Sequence, residues 1–422
     1  MNVQSYALVT GAYWGQTLTD GALRMLVLLH FHTLGFTPFQ IAFVFVLYEF
    51  MGVVTNLMAG WIAARFGLQS TLYAGLSLQV TALIALAFLQ PDWPMTLAVA
   101  YAVVVQGAAG VAKDLTKMSA KSAVKLLAPS EKGGLFQWVA VLTGSKNAMK
   151  GVGFFVGGVL LATLGFQGGL FLLAAVLAAI LTLTALTLPG GMGRAKAKKE
   201  LTALLAKSRA INRLSAARVF LFGARDVWFV VGVPIFLYEV GGWSFVQVST
   251  FLALWVIGYG VVQAAAPRFV ESSTGGLESE VKAQRFWALV LATTPLLVAL
   301  GLALVVPFDR LVTHGGEPLA SAWIGPVIVL GLGLFGAVFA VNSSLHSYLI
   351  LAYSRAEDVT MDVGFYYMAN AAGRLVGCLL SGLAYQLGGV LGCLLVSTAF
   401  LVTAWTLALT LPTTREPEPA AA

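Results

Sequence analysis

Hydrophobic residues occupy long, nearly uninterrupted stretches of the chain, and short polar segments separate these stretches. A membrane-spanning helix needs about 20 consecutive, mostly apolar residues. We predict twelve such helices, over residues 6–34, 40–64, 70–89, 95–127, 133–163, 166–188, 212–240, 247–267, 286–306, 323–352, 361–387 and 390–411. The pattern therefore indicates a membrane protein built only from α-helices.

Two connections between these stretches are longer and more polar than the others, over residues 189–211 and 268–285. The first lies near the middle of the chain, where it separates two sets of six predicted helices. We therefore predict four regions along the chain. They are an N-terminal six-helix bundle (1–188), a cytoplasmic linker (189–211), a C-terminal six-helix bundle (212–411) and a cytoplasmic tail (412–422).

An internal repeat relates the two predicted bundles. Residues 19–42 resemble residues 224–249, and residues 148–160 resemble residues 372–384. The repeat aligns Asp20 with Asp226, Lys150 with Arg374, Gly153 with Gly377, and Gly158 with Gly382. Duplicated membrane units commonly enclose a substrate site at their interface. The predicted fold is an all-α membrane protein with twelve transmembrane helices in two pseudo-symmetric six-helix bundles.

Composition and charge agree with a membrane location. Only 10% of the residues are charged, whereas soluble proteins carry about 25%. Lysine and arginine are concentrated in the loops on one side of the predicted helices, and cytoplasmic loops are the ones enriched in these residues. We therefore predict a multi-pass protein with both termini in the cytoplasm. The membrane we expect is a bacterial-type inner (plasma) membrane. The net charge of +7 follows from these loops and does not indicate nucleic-acid binding.

Charged side chains of the two signs are unequal in number inside the predicted helices. Counting only charges that lie away from the helix ends, eight are cationic: Arg24, Lys113, Lys117, Lys146, Lys150, Arg218, Arg225 and Arg374. Four are anionic: Asp20, Glu49, Asp114 and Asp226. A charge at the centre of a membrane helix costs at least about 2.5 kcal/mol, and an unpaired buried charge is destabilising. The excess of cations indicates that an anionic substrate, or water in an open cavity, satisfies the remaining charges.

The candidate substrate site combines residues from both bundles. Lys113 and Lys117 begin a run of lysines at every fourth position, which continues through Lys121 and Lys125 along one helical face. Arginine binds a tetrahedral oxyanion through two parallel hydrogen bonds, whereas lysine acts as a mobile point charge. We predict that the substrate contacts Lys113, Lys117, Lys146, Lys150, Arg225, Arg374, Arg24, Asn342 and His346.

Several of these residues have a structural alternative. Lys121 and Lys125 could extend from a helix end to the membrane surface, and Asn342 and His346 could join neighbouring helices instead of binding substrate. We expect no cofactor, no metal and no enzymatic activity, because no phosphate-binding loop, nucleophile motif or cluster of cysteine and histidine is present.

The internal carboxylates also have two interpretations. Asp20, Glu49 and Asp226 are candidates for proton coupling, and the alternative is that they neutralise Arg24 and Arg225. Arg225 and Asp226 are neighbours in the sequence, so we expect their side chains to point to different faces of the helix.

Twelve helices in two halves resemble the major facilitator superfamily. The segment Gly60-Trp-Ile-Ala-Ala-Arg-Phe-Gly67 is similar to the G-x-x-x-D-R-x-G motif that this superfamily carries after its second helix. Ala64 stands where that motif has aspartate. The charge interaction that the aspartate normally makes is therefore not expected at this loop.

Longer segments resemble the organoarsenical-efflux branch of the superfamily. They are LTDGALRMLVLLHFHTLGF (18–36), LYEFMGVVTNLMAGW (47–61), AKDLTKMSAKSAVKLL (112–127), TGSKNAMKGVGFF (143–155) and RDVWFVVGVP (225–234). This resemblance implies export of 1-arseno-3-phosphoglycerate, an ester that glyceraldehyde-3-phosphate dehydrogenase makes from arsenate, and hence arsenate resistance. It implies a monomer whose partners are the lipid bilayer and a small anion carrying phosphate and arsenate groups. The alternative within the superfamily is an exchanger of organophosphates or phosphate.

Overall fold

The computed structural model describes residues 3–90, 92–127, 134–188, 208–269, 276–319, 321–354 and 359–414. The described residues form helices and connecting turns, in agreement with the predicted fold class. The helices are α1 (Val3–Thr33), α2 (Pro38–Val44), α3 (Val46–Ala87), α4 (Met95–Leu127), α5 (Gly134–Thr187), α6 (Arg209–Phe229), α7 (Gly232–Glu239), α8 (Phe245–Phe269), α9 (Gly276–Ala303), α10 (Phe308–Val312), α11 (Ile324–Tyr353) and α12 (Val359–Leu409).

Three of these helices are long enough to cross a membrane twice, and each breaks at glycine. α3, α5 and α12 contain 42, 54 and 51 residues. Their backbones leave the helical conformation at Gly67 (φ 77°), Gly165 (φ 68°) and the pair Gly388–Gly389 (φ −146° and 57°). A positive φ costs glycine little because it has no Cβ atom. Each break therefore divides one continuous helix into two of the predicted membrane spans.

Nine stretches of the described residues are long and apolar enough to cross a membrane. Two of them, Ser145–Thr187 and Asp362–Leu409, contain the breaks at Gly165 and Gly388 and each supply two spans. α1, with 31 residues, is not one of these stretches; it packs along α5, and its assignment as a membrane span stays a prediction.

Predicted boundaries differ from the structure in three places. The span over 40–64 is divided between α2 and α3 at Phe45. The stretch 268–285 was expected to be a loop, but α9 begins at Gly276. Its first turns are polar, and Lys282 pairs with Glu278 one turn earlier at 2.7 Å, so the helix extends beyond the apolar span. The span over 212–240 is divided into α6 and α7, because the backbone turns at Val230 and Val231. The freed N–H of Val231 donates to Ser381 Oγ at 3.0 Å.

The internal repeat recurs as a repeated helix contact. Gly153 on α5 lies against the backbone of α1 at Leu18 and Gly21, so closely that no methyl group fits between them. Gly377 on α12 lies equally close to α6 at Gly223. The two glycines are aligned by the sequence repeat. The same small-residue packing of two helices, which membrane proteins favour, therefore occurs once in each half.

Helices from the two halves meet at two glycine seams. At the first, Gly382 on α12 lies against the backbone of α2 at Pro38. At the second, Gly158 on α5 lies against Phe245 and Ser249 at the start of α8. The contacts at Gly382 and Gly158 lie toward the face of the bundle where α1 ends, which we call the His32 face, and the contact between α5 and α8 continues away from that face at Gly151. The predicted linker falls outside the described residues up to position 207, and the domain boundaries remain a prediction.

Candidate functional site

Two buried carboxylates hold the arginines at the centre of the structure. Glu49 on α3 accepts from Arg24 Nη2 at 3.2 Å and from Arg374 Nη2 at 2.6 Å. Asp226 on α6 accepts from Arg225 Nε at 2.7 Å and from Arg374 Nε at 3.4 Å. A buried charge requires a partner. Arg374 therefore lies between two carboxylates, one from each half of the chain.

The contact between Arg225 and Asp226 corrects one expectation from the sequence. Neighbouring residues leave a helix in different directions, which is why their side chains were expected to separate. The arginine side chain is long enough to fold back, however, and its guanidinium reaches the adjacent carboxylate. The Arg225 guanidinium also lies 4.8 Å from the centre of the Phe222 ring, so the side chain is fixed on two sides.

Asp20 differs from the other two candidate proton carriers. Its Oδ1 accepts from the Tyr48 hydroxyl at 2.6 Å, and in the described part of the chain it forms no ion pair. Arg24 pairs with Glu49, which agrees with the neutralising interpretation for Glu49 but not for Asp20. Asp20 is therefore a buried carboxylate whose direct partner is neutral.

Lys113 and Lys150 lie close to this network without joining an ion pair among the described residues. The Lys113 ammonium lies 4.0 Å from the centre of the Tyr48 ring, and the Lys150 ammonium lies 5.4 Å from that of Phe154. Such cation–π contacts stabilise a charge only partly. Lys150 is also near enough to Arg374 and Arg24 for mutual repulsion.

Lys117, by contrast, is already neutralised. Its ammonium donates to Asn56 Oδ1 at 2.7 Å and to Asp114 Oδ1 at 3.2 Å. The other oxygen of Asp114 accepts from Thr55 Oγ1 at 2.7 Å. These contacts tie α3 to α4 and favour a structural role for Lys117, and its role in substrate capture stays a prediction.

The remaining predicted residues divide between structure and site. Asn342 is fully buried, donates to Trp287 O at 2.9 Å and accepts from Gln284 at 3.1 Å, which favours the helix-joining interpretation. His346, one turn further along α11, is buried and its Nδ1 has no hydrogen-bond partner among the described residues.

The remaining lysines are described only in part. Lys146 lies one turn before Lys150 on α5 and is half-buried. The side chains of Lys121 and Lys125 lie outside the described part.

A separate polar cluster closes the His32 face. His32 Nε2 lies 3.6 Å from Glu239 Oε1, and the other oxygen of Glu239 accepts from the Gly315 N–H at 2.8 Å and from the Tyr385 hydroxyl at 3.2 Å. Since α1 belongs to the first half and α7 to the second, this contact joins the halves at one membrane face. No group of three or more potential metal ligands occurs among the residues that the structure describes.

Sequence reasoning missed several residues of this centre. Tyr48, which contacts both Asp20 and Lys113, carries no charge and has no distinguishing pattern. Arg218 was counted as an internal cation but was not assigned to the site. Its spacing of seven residues from Arg225, which places both on one face of α6, is the signal that could have identified it.

A family model described as Major Facilitator Superfamily matches residues 9–349. The chain therefore belongs to the major facilitator superfamily, and it is a membrane transporter rather than an enzyme. No curated protein matches it at a significant level.

Solved structures support the fold. One, from a study of substrate recognition in proton-dependent oligopeptide transporters, has a TM-score of 0.67 at 15% identity and covers 97% of this chain and 98% of its own. Another, a POT family transporter in complex with a thioalcohol-conjugated peptide, has a TM-score of 0.68 at 13% identity and covers 96% and 95%. At these identities the similarity concerns the fold alone.

Proposed function

We propose that this transporter exports an anionic organoarsenical phosphoester, 1-arseno-3-phosphoglycerate, from the cytosol by alternating access and so gives arsenate resistance. The observation that carries the proposal is the cationic excess at the centre. Glu49 and Asp226 hold three arginines in place, while Lys113 and Lys150 form no direct ion pair with a carboxylate among the described residues. A bound oxyanion would provide the missing negative charge.

The chemistry of the ester suits the two kinds of cation. Arsenic(V) and phosphorus(V) form tetrahedral oxyanions of similar shape, and neither requires a thiol ligand. Arginines fixed by carboxylates present their remaining N–H groups in a defined direction, whereas lysines can follow a moving group. We assign substrate contacts to Lys150 and Arg374 first, and capture from the cytosol to Lys113 and Lys117.

The pair between Glu49 and Arg374 suggests how binding is coupled to movement. It joins α3 of the first half to α12 of the second. An oxyanion that approaches Arg374 competes with Glu49 for the same guanidinium, and a charge-assisted hydrogen bond contributes about 1.5–3 kcal/mol. Substrate binding would therefore weaken a contact between the halves, and such a contact must change for the site to open alternately to each side.

Three other features belong to this proposal. We place both termini in the cytoplasm of a bacterial-type inner membrane, expect the transporter to function as a monomer, and link it functionally to glyceraldehyde-3-phosphate dehydrogenase, the producer of the ester. The alternative function is exchange of organophosphates or phosphate. The same cations favour it, since they recognise a phosphate group as well as an arsenate group.

The test is uptake into everted membrane vesicles, in which the cytoplasmic side faces outward. Labelled ester, generated in place by the dehydrogenase, is compared with 3-phosphoglycerate, phosphate and arsenate. Uptake of the ester that exceeds uptake of the other three supports the proposal. Preferred uptake of phosphate or 3-phosphoglycerate would support the exchanger, and uptake of none of them would exclude both functions.

A further inference from the structure

One further buried cation, Arg218, makes no hydrogen bond to the carboxylates of the Glu49–Asp226 network. Arg218 on α6 is only 4% exposed, yet in the described part of the chain it meets no carboxylate. Its Nε donates to Asn370 Oδ1 at 3.0 Å, and its Nη1 donates to Ser343 Oγ at 3.2 Å. Neutral acceptors leave the positive charge in place. A buried cation without a counter-ion destabilises a protein. Its presence here therefore suggests that an anionic ligand binds to it.

The residues around Arg218 are suited to an anion. Its guanidinium carbon lies 4.0 Å from the centre of the Phe222 ring and 4.9 Å from that of Tyr366, which fixes its plane. Gln263 Nε2 and the Tyr259 hydroxyl both point to Ser343 Oγ, at 3.3 and 3.4 Å. Side chains able to donate hydrogen bonds therefore converge on the region that the Arg218 guanidinium occupies.

His346 provides an independent observation. It is 1% exposed, and its Nδ1 is buried without a hydrogen-bond partner among the described residues. It follows Ser343 by three residues on α11, so it lies on the same helical face, and it is near enough to Arg218 to feel the charge of the guanidinium. A buried polar atom without a partner costs about 1–3 kcal/mol, and a bound ligand would supply the partner.

Arg218 lies close to the central network, because its guanidinium contacts the same aromatic ring as the guanidinium of Arg225. Arg218 and Arg225 both contact Phe222, with guanidinium carbons 4.0 and 4.8 Å from its centre. The two guanidinium groups are therefore less than about 9 Å apart. A short organic molecule with an acidic group at each end is long enough to reach both of them.

We propose that Arg218 and His346, supported by Gln263, form a second anion subsite that holds the far acidic group of a substrate with two such groups. The first group lies at Arg225, Arg374 and Lys150. The inference rests on the proposed function, because it assumes that the central cations bind an oxyanion. It adds a requirement: the transporter selects molecules with two anionic ends over molecules with one.

Binding of two probes to the purified full-length protein, measured by calorimetry, tests this subsite. Glycerol 3-phosphate carries one acidic group, and 3-phosphoglycerate carries two. We expect Arg218→Gln to weaken binding of 3-phosphoglycerate by roughly ten- to a hundredfold and to leave binding of glycerol 3-phosphate unchanged. Arg213→Gln, on the same helix but exposed, is the matched control and should change neither affinity.

Two further variants keep the test decisive. Lys150→Gln should weaken binding of both probes, because it removes a contact to the shared group. If Arg218→Gln does not fold, His346→Ala takes its place, with the same expected selective loss. Equal loss of both probes, or no loss, in the Arg218 or His346 variant would overturn the second subsite alone. Failure of the unmodified protein to bind either probe would also overturn the second subsite, whereas the proposed function is decided separately by uptake of the ester into vesicles.

Discussion

The two halves of the transporter supply positive charge to its centre in different ways. The first half contributes Lys113 and Lys150, which form no ion pair among the described residues, and one arginine, Arg24, which Glu49 holds. The second half contributes Arg225 and Arg374, which Asp226 and Glu49 hold through hydrogen bonds of 2.6–3.4 Å. The comparison suggests a division of work: the arginines give the site a fixed geometry, and the lysines give it a net charge that substrate can neutralise.

The largest effect is expected for Arg374→Ala. This change leaves both Glu49 and Asp226 without their shared partner, and breaking a buried ion pair costs about 3–5 kcal/mol. Membrane abundance, thermal stability and ester uptake should all fall. A stable, abundant Arg374→Ala protein would show that the arginines do not fix the geometry, and Arg374→Lys should recover abundance better than uptake.

Lys150→Ala should separate transport from stability. Because Lys150 forms no direct ion pair among the described residues, its removal breaks no salt bridge, and abundance should stay normal. Uptake of the ester should fall by roughly ten- to a hundredfold, and arsenate resistance should be lost in cells that make the ester. Lys150→Arg should restore it only partly. Normal uptake by a well-expressed Lys150→Ala protein would end the assignment of Lys150 to the substrate site.

Asp20→Asn tests which carboxylate carries a proton. Glu49 and Asp226 each bind two arginines, so protonating either would leave cations uncompensated, whereas the direct partner of Asp20 is the Tyr48 hydroxyl. We expect Asp20→Asn to reduce the ratio between uptake at the optimal pH and uptake away from it by several-fold. Uptake at the optimal pH itself should be retained. Retained pH dependence in Asp20→Asn, together with its loss in Glu49→Gln, would transfer the role to Glu49.

The smallest effect is expected for Lys282→Ala. Lys282 pairs with Glu278 at 2.7 Å, but the two side chains are 67% and 59% exposed. Exposed ion pairs contribute about 0–1 kcal/mol, so abundance, stability and uptake should match the unmodified protein. A clear loss of uptake would mean that positive charge outside the membrane also recruits substrate. The net charge that attracts substrate would then not come from the central lysines alone.

The fold was predictable because apolar stretches of sufficient length have few alternatives in a membrane. Helix boundaries were harder to predict than the helices themselves. The start of α9 is polar, so the apolar pattern did not show that the helix begins before its apolar span. Glycines in the short connections did not show whether a chain would loop or merely bend. At Gly67 and Gly165 it bends, so two predicted helices form one interrupted helix.

The site was predictable in its charges but not in their pairing. Counting charges identified Glu49, Asp226 and the surrounding cations, because charged residues are rare inside membrane helices. Which arginine meets which carboxylate depends on side-chain length and on contacts between helices far apart in the sequence. Glu49 and Arg374 are 325 residues apart, and no local pattern relates them. Neutral members of the site, such as Tyr48, gave no signal at all.

The two glycine seams imply that close packing of helices helps to keep the central site closed toward the His32 face. At Gly158 and Gly382 a helix of one half packs directly on backbone and small side chains of the other, and van der Waals contact is insensitive to ionic strength. Closure at the His32 face therefore has a component that salt cannot weaken. A single added methyl group at either position would act as a wedge, shifting the conformational equilibrium toward the state that is open on that face.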